Sequence, residues 1–318
     1  MVAVNLLPKQ RLPDMLHRLE FHAMGCEMLA AVESESVSSP LAKVPEWFEG
    51  WEQVFSRFRY DSELTRLNEI HEEPVPVSEA LFAVFQASQK AEQMTHGLVT
   101  PTLLDAIIEA GYDRPFDVLP HLGTPMPDSV LTGSTSLTAI TIDNSARTVT
   151  LPLGVGLDFG GIAKGWAAHQ AMKRLQPEGP ALVDAGGDIA ISGPRTDSNP
   201  WQVGVSNPFQ RGQEIETLFV NNGGVATSGK DRRRWTRNGI LKHHIIDPFT
   251  NQPAETDLLT VTVVAPDVMQ AESATKAAFI LGSRAGMEWI EAHSEFAALF
   301  ILEDGQMLYS GKMEDYLG

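Results

Sequence analysis

The spacing of apolar positions shifts along the chain, and each shift predicts an element. Leu19 to Val32 alternates as a strand does, with Gly25 as a bend. Spacings of three and four predict helices over Pro45–Phe55, Ser62–Glu69 and Ser78–Thr95. Pro115 to Ser136, rich in Pro, Gly and Ser, reads as a long surface excursion. Alternating runs at Leu137–Asp143 and Thr148–Leu153 flank "NSA" and predict a hairpin. In "LDFGGIAKG", Leu157 to Gly165, an apolar strand is expected to end at Gly160–Gly161 and a helix to begin near Ile162. Ala168, Ala171, Met172 and Leu175 give that helix its buried stripe. Short strands follow at Ala181–Asp184, Ile189–Ser192, Gln202–Ser206, Thr217–Val220 and Leu259–Ala265, then a helix over Met269–Leu281 and a closing helix and strand. Helices and strands mix without strict alternation, which favours an α+β fold over a doubly wound sheet. No composition break divides the chain: residues 1–18 read as a loose segment and 19–318 as a single domain.

Composition narrows the function classes. With 24 Lys+Arg against 41 Asp+Glu, a net charge of -17 excludes sequence-independent nucleic-acid binding, which needs a broad basic face. Any anionic ligand must find local positive groups. The single cysteine, Cys26, has no intramolecular disulfide partner, and a cytoplasmic home is expected. Prolines and charges interrupt the N-terminus, and no run reaches the ~18 apolar residues of a membrane span, so no membrane insertion is expected. No apolar segment precedes Cys26 as a lipid-attachment cysteine requires.

Five stretches could carry chemistry, and each has a plainer reading beside it. In "LDFGGIAKG" the unpaired N–H groups of a helix start and the charge of Lys164 would welcome an anion; a tight turn with a solvated lysine fits equally well. "ALVDAGGDIAISG", Ala181 to Gly193, places Asp184, a Gly pair and Asp188 where a ligand could approach the backbone, or where a hairpin turns. "GVATSGKDRRRW" carries three consecutive arginines, of which a strand would aim at most one or two at a single site. His243 and His244, in "LKHHIIDPFTNQPA", would face opposite ways. One of them near Asp247 suits a general base, the alternative being a satisfied core histidine. In "AESATKAAFILG", Glu272 and Lys276 stand four apart, as in a surface helix ion pair.

Taken in order, "FHAMGCEML", "SRFRYDSELTRLNE", "LDFGGIAKG", "ALVDAGGDIAISG", "VATSGKDRRRW", "HHIIDP" and "AESATKAAFILG" resemble the ApbE family, the FAD:protein FMN transferases. The resemblance implies an α+β fold of two intimately packed lobes with an FAD cleft between them. It also implies a reaction in which a Thr or Ser hydroxyl of a partner flavoprotein attacks the FMN phosphorus of FAD and AMP leaves. Residue by residue it assigns flavin or nucleotide contacts to Met24, Gly25, Phe58, Ala110, Gly111, Tyr112, Asp158, Lys164, Gly187 and Ser228. His244 becomes the candidate base with Asp247 beside it, and Gly161 and Glu272 become candidate magnesium ligands. The family's Ala-Asp-x-x-x-Thr here reads "AESATK", so Lys276 replaces the threonine. An ammonium donates hydrogen bonds and has no lone pair for a metal. Two readings follow: Lys276 takes the cation's place and magnesium is dispensable, or metal and catalysis are both lost and an FAD-binding protein remains. An FAD pyrophosphatase with water as acceptor is a further alternative. Cys26, where the family often has threonine, reads as packing rather than nucleophile.

Overall fold

The computed structural model describes residues 15–36, 39–119 and 136–318. The expected strand at Leu19–Val32 is two strands, β1 (Leu16–Ala23) and β2 (Cys26–Glu33), so pairing begins inside the segment read as loose. Met24 and Gly25 form the two-residue turn between them, with φ of 49° and 66°. Positive φ at both turn residues matches the twist of the flanking strands. For Met24 it is strained, and the Glu52 carboxylate holds it by accepting the Met24 N–H at 2.7 Å.

Helices follow much as the periodicity predicts. A short α1 (Ser39–Ala42) leads into α2 (Val44–Phe55), and α3 (Glu63–Asn68) is capped by the Ser62 hydroxyl. After β3 (Val75–Pro76) come α4 (Glu79–Met94), capped by Ser78, and α5 (Leu104–Glu109). The excursion from Pro115 shows a short helical turn at Phe116–Val118 and then lies mostly outside the described residues. The expected hairpin is present as β4 (Thr141–Asp143) and β5 (Thr148–Thr150), which pairs with β3; Leu137–Ala139 before it is a 3-10 turn.

No strand precedes Gly160. The Asn68 side chain brackets Leu157, and the Asp158 N–H donates to the Pro101 carbonyl, so side chains and loops satisfy this backbone. The helix α6 (Ala163–Leu175) then starts one residue beyond Ile162. Next come β6 (Ala181–Ala185), β7 (Asp188–Ile191), β8 (Trp201–Ser206), β9 (Glu214–Val220), β10 (Gly223–Gly229), β11 (Arg234–Arg237), β12 (Ile240–His243), β13 (Ile246–Asp247) and β14 (Gln252–Pro253). The chain closes with β15 (Leu258–Ala265), α7 (Val268–Glu291), β16 (Ala297–Leu302) and β17 (Met307–Tyr309). At Gly282, φ 80° splits α7 in two, matching the expected helix end at Leu281.

The principal sheet runs β1-β2-β6-β7-β10-β15-β16-β17, with antiparallel neighbours, consistent with the α+β expectation. One face packs against the helices through Val32, Val183 and Val263. The other packs against the β8–β9 ribbon through Ala31, Leu182 and Val264. The alternation of strand side chains thus fills two cores at once. Sequence patterning missed β10, a central strand, because Gly223, Gly224 and Gly229 weaken the strand signal. A Cβ on Gly224 would run into the backbone of Val268 at the start of α7, so the close approach of helix to strand selects glycine there. Among the described residues no helix is long and apolar enough to cross a membrane.

Trp166 of α6 meets Trp51 and Phe55 of α2 edge-on, at centroid distances of 5.5 and 5.4 Å. Trp166→Ala should therefore cost about 3–5 kcal/mol, read as a lowered urea midpoint.

Candidate active site

Three groups of side chains converge at one end of β6, β7 and β10. The first is a buried charge cluster. Lys164, in the first turn of α6, pairs with Asp188 at the start of β7, and its Nζ lies 3.7 Å from Glu272 Oε1 on α7. Lys276, one turn further along α7, donates to the same Glu272 oxygen at 3.1 Å and to the Glu272 carbonyl at 3.3 Å. Glu272 is 1% exposed. Its other oxygen accepts the Gly165 N–H at 3.1 Å. A Cβ on Gly165 would stand 2.5 Å from that oxygen, so only glycine lets α6 and α7 cross this closely. Glu272 and Lys276, expected as a surface pair from periodicity alone, are instead the centre of a helix crossing.

Burial opposes the charged forms of Lys164, Glu272 and Asp188; pairing outweighs it at Lys164 and Glu272, while at Asp188 burial prevails and raises the pKa. Asp188 and Glu272 hold Lys164 protonated well above its ordinary value. Lys276 and Lys164 likewise keep Glu272 below its usual range. Asp184, in β6 next to the following turn, accepts the Gly187 N–H at 2.6 Å, and burial pushes its pKa up to about 7. Gly186 and Gly187, both with positive φ, form the turn of the β6–β7 hairpin.

The second group is aromatic. The guanidinium of Arg57 pairs with Asp158 at 2.8 Å, donates to the Tyr112 carbonyl at 2.6 Å, and lies over the rings of Phe58 and Tyr112. Asp158 also accepts the Gly160 N–H. Trp235 of β11 donates to the Ala110 carbonyl at 2.8 Å and packs beside Tyr112. Phe58, Ala110, Gly111, Tyr112 and Asp158 therefore belong to a single assembly, organised by Arg57 and Trp235, which sequence reasoning missed. Arg57 precedes Phe58 directly, and its role shows only once α2 and the Tyr112 loop are packed together.

The third group joins the other two. Of the three arginines, Arg234 is exposed, Arg232 lies 3.4 Å from Asp231, and Arg233 turns inward. Arg233 donates to Cys26 Sγ at 2.8 Å, beside Met24 and Gly25, and its charge acts on Tyr112, Asp188 and Lys164. His243 is the satisfied core histidine: it contacts the Ala254 carbonyl and the Phe279 ring, and burial lowers its pKa to about 4. His244 faces the charged groups, with Nδ1 buried and without a hydrogen-bond partner among the described residues. Burial first, then the positive charges of Arg233 and Lys276, push its pKa well below the ordinary value, so it is neutral near pH 7.

Three further predicted residues make hydrogen bonds within the chain. The Asp247 carboxylate accepts the Phe249 N–H within its own turn. The Ser228 hydroxyl bonds Thr275 at 2.8 Å, tying β10 to α7. Gly187 contributes its N–H to Asp184. Gly161, by contrast, abuts Lys276: a Cβ there would lie 3.1 Å from Lys276 Cε.

The ApbE family model matches residues 24–300. The chain is 30% identical to the FAD:protein FMN transferase of Treponema pallidum over 83% of its own length and 77% of the relative's. It is 24% identical to the FAD:protein FMN transferase of Salmonella typhimurium over 87% of its length and 81% of the relative's. The crystal structure of the ApbE protein from Thermotoga maritima superposes with a TM-score of 0.83 at 25% identity, covering 95% of this chain and 99% of that one.

Asp184 gives the site a pH signature. With its pKa raised from 3.8 to about 7, the folded chain retains a proton through that window that the unfolded chain has released. Its contribution to stability is complete at low pH and is lost as pH rises toward 7. Asp184→Asn removes the titration, so the stability of the variant relative to the parent should climb by a few kcal/mol between pH 4 and 7 and then level off. Chemical denaturation at a series of pH values measures this, and His243 and His244 cancel in the difference.

Proposed function

The chain belongs to the ApbE family, and from that premise we infer that it is an FAD:protein FMN transferase. The observation that carries the reading is the convergence of Lys164, Lys276 and Arg233, the last two beside a neutral histidine, in a chain of net charge -17. Phosphoryl transfer depends on positioning and on neutralising charge at the phosphates. These three cations suit a diphosphate, and little else on so acidic a chain would attract one.

In the proposed arrangement the aromatic assembly of Phe58 and Tyr112, with the Met24–Gly25 turn, receives the flavin end of FAD. Lys164 and Arg233 face the diphosphate, with Gly187 at the neighbouring turn. The hydroxyl oxygen of an acceptor Thr or Ser forms the new bond to the FMN phosphorus, and the bond from that phosphorus to the bridging oxygen breaks. AMP leaves with the bridging oxygen, and His244 takes the hydroxyl proton. Its low basicity rises when the negative diphosphate arrives beside it. Asp247 supports this by fixing the turn after His244, and Ser228 by anchoring α7 through Thr275.

The magnesium expectation meets a poor fit in the residues present. Lys276 has no lone pair to offer, and both Glu272 carboxylate oxygens already accept hydrogen bonds. Among the described residues, no group of three or more His, Cys, Asp or Glu side chains could hold a metal.

Incubation with FAD and an acceptor flavoprotein should give a covalent flavin adduct and AMP in equal amounts. His244→Ala should lower the transfer rate by about 10²- to 10⁴-fold while FAD still raises the melting temperature. Full transfer by the variant would remove His244 from the reaction.

A further inference from the structure

We propose that the Lys276 ammonium stands where a divalent cation would sit, so that FMN transfer by this chain needs no metal. The proposal rests on the transferase reading above and concerns the charge that serves it. Gly161, Glu272 and position 276 are the parts from which the resemblance would assemble a magnesium site. In this structure all three meet at a single ammonium: Lys276 Nζ is 3.1 Å from Glu272 Oε1 and 3.3 Å from the Glu272 carbonyl, and its Cε passes beside Gly161.

Magnesium requires about six oxygens at 2.0–2.1 Å in octahedral array. Here the Glu272 oxygens are committed to Lys276 and to the Gly165 N–H, with Lys164 close by. A dication entering would displace an ammonium and be repelled by its neighbour. The balance of charge points the same way. Lys164 and Lys276 match Asp188 and Glu272 one for one, so the cluster is neutral with no metal present. With threonine at 276 and no metal, buried Glu272 would keep the Gly165 N–H at 3.1 Å but, among the described residues, no cation nearer than Lys164 at 3.7 Å, and an underpaired buried carboxylate is destabilising. An ammonium has three N–H donors, of which Glu272 takes two. The third remains for an anion. Lys276 thus brings one positive charge to the place of the cation, beside that of Lys164.

The test measures two quantities on the purified full-length chain, FMN transfer to an acceptor flavoprotein and the rise in melting temperature caused by FAD. Each is read in excess EDTA and in millimolar magnesium. The expected result is that neither changes between the two conditions. A drop of about tenfold or more in EDTA, restored by magnesium, would overturn the proposal. Lys276→Met keeps the length of the side chain and removes the charge, and should lose transfer and weaken the FAD-induced shift in both conditions. Unchanged transfer by that variant would also overturn it. The paired change Glu272→Asp and Lys276→Thr should make the FAD-induced shift depend on magnesium, and if either variant fails to fold, the parent's response to EDTA decides. Absence of transfer in every condition, with an FAD shift that ignores EDTA and requires Lys276, would defeat the transferase reading and leave the ammonium assignment standing.

Discussion

The pairing of Lys164 and Lys276 with Asp188 and Glu272 is the interaction on which the site depends. Two buried carboxylates and two half-buried ammonium groups lose hydration here, and only close pairing offsets that loss. The partners come from three elements: the first turn of α6, the start of β7 and the middle of α7. Each must therefore hold its place within hydrogen-bonding tolerance. The chain meets this demand with small residues. Gly165 allows the helices to touch, Gly224 admits the start of α7 against β10, and Ala271, Ala274 and Ala278 seat the helix on the sheet. The architecture around the cluster follows from the need to keep its charges together.

Position within the field matters as much as pairing. The chain is strongly acidic, yet Lys164, Arg233 and Lys276 converge at one end of the central strands. Burial, and after it the charges of Arg233 and Lys276, suppresses protonation of His244. In the proposed reaction a bound diphosphate would offset the part of this shift that the cations cause, so that proton acceptance by the imidazole would be coupled to substrate binding. The unpartnered Nδ1 fits this account, because a buried nitrogen without a hydrogen bond costs about 1–3 kcal/mol and persists where function uses it.

Much of this was legible in the sequence, and what was not has physical causes. Helix α6 shows its stripe of Ala168, Ala171, Met172 and Leu175 plainly, since its packed face follows helical periodicity. The strands β6, β7, β8, β9 and β15 are equally clear from their apolar runs. The β1–β2 turn reads from Gly25 alone as a bend within one strand; Met24 is an improbable residue for positive φ, and Glu52, 28 positions away, holds it there. Strand β10 escaped because its glycines answer to α7 rather than to strand propensity. In the site, Lys164, Glu272 and His244 were identifiable from the order of their motifs. Arg57, Trp235 and the inward turn of Arg233 were not, since their partners Asp158, Ala110 and Cys26 lie far away in sequence. Long-range packing decides these contacts, and no local spacing encodes it.

An ammonium can supply charge, but it imposes no coordination geometry on what it binds. A site that relies on Lys276 must therefore obtain its alignment elsewhere, and the structure holds two rigid features suited to this. The strained Met24–Gly25 turn is fixed from one side by Glu52 and from the other by Arg233. The aromatic assembly is fixed by Arg57, which binds Asp158, the Tyr112 carbonyl and two ring faces at once. Both lie beside the charge cluster and both are locked by contacts between distant parts of the chain. In the proposed arrangement the turn and the aromatic assembly would orient the flavin end and the cations would neutralise the diphosphate, with Arg233 serving both. Without a metal template at position 276, the first of these tasks would still rest on Glu52 and Arg57.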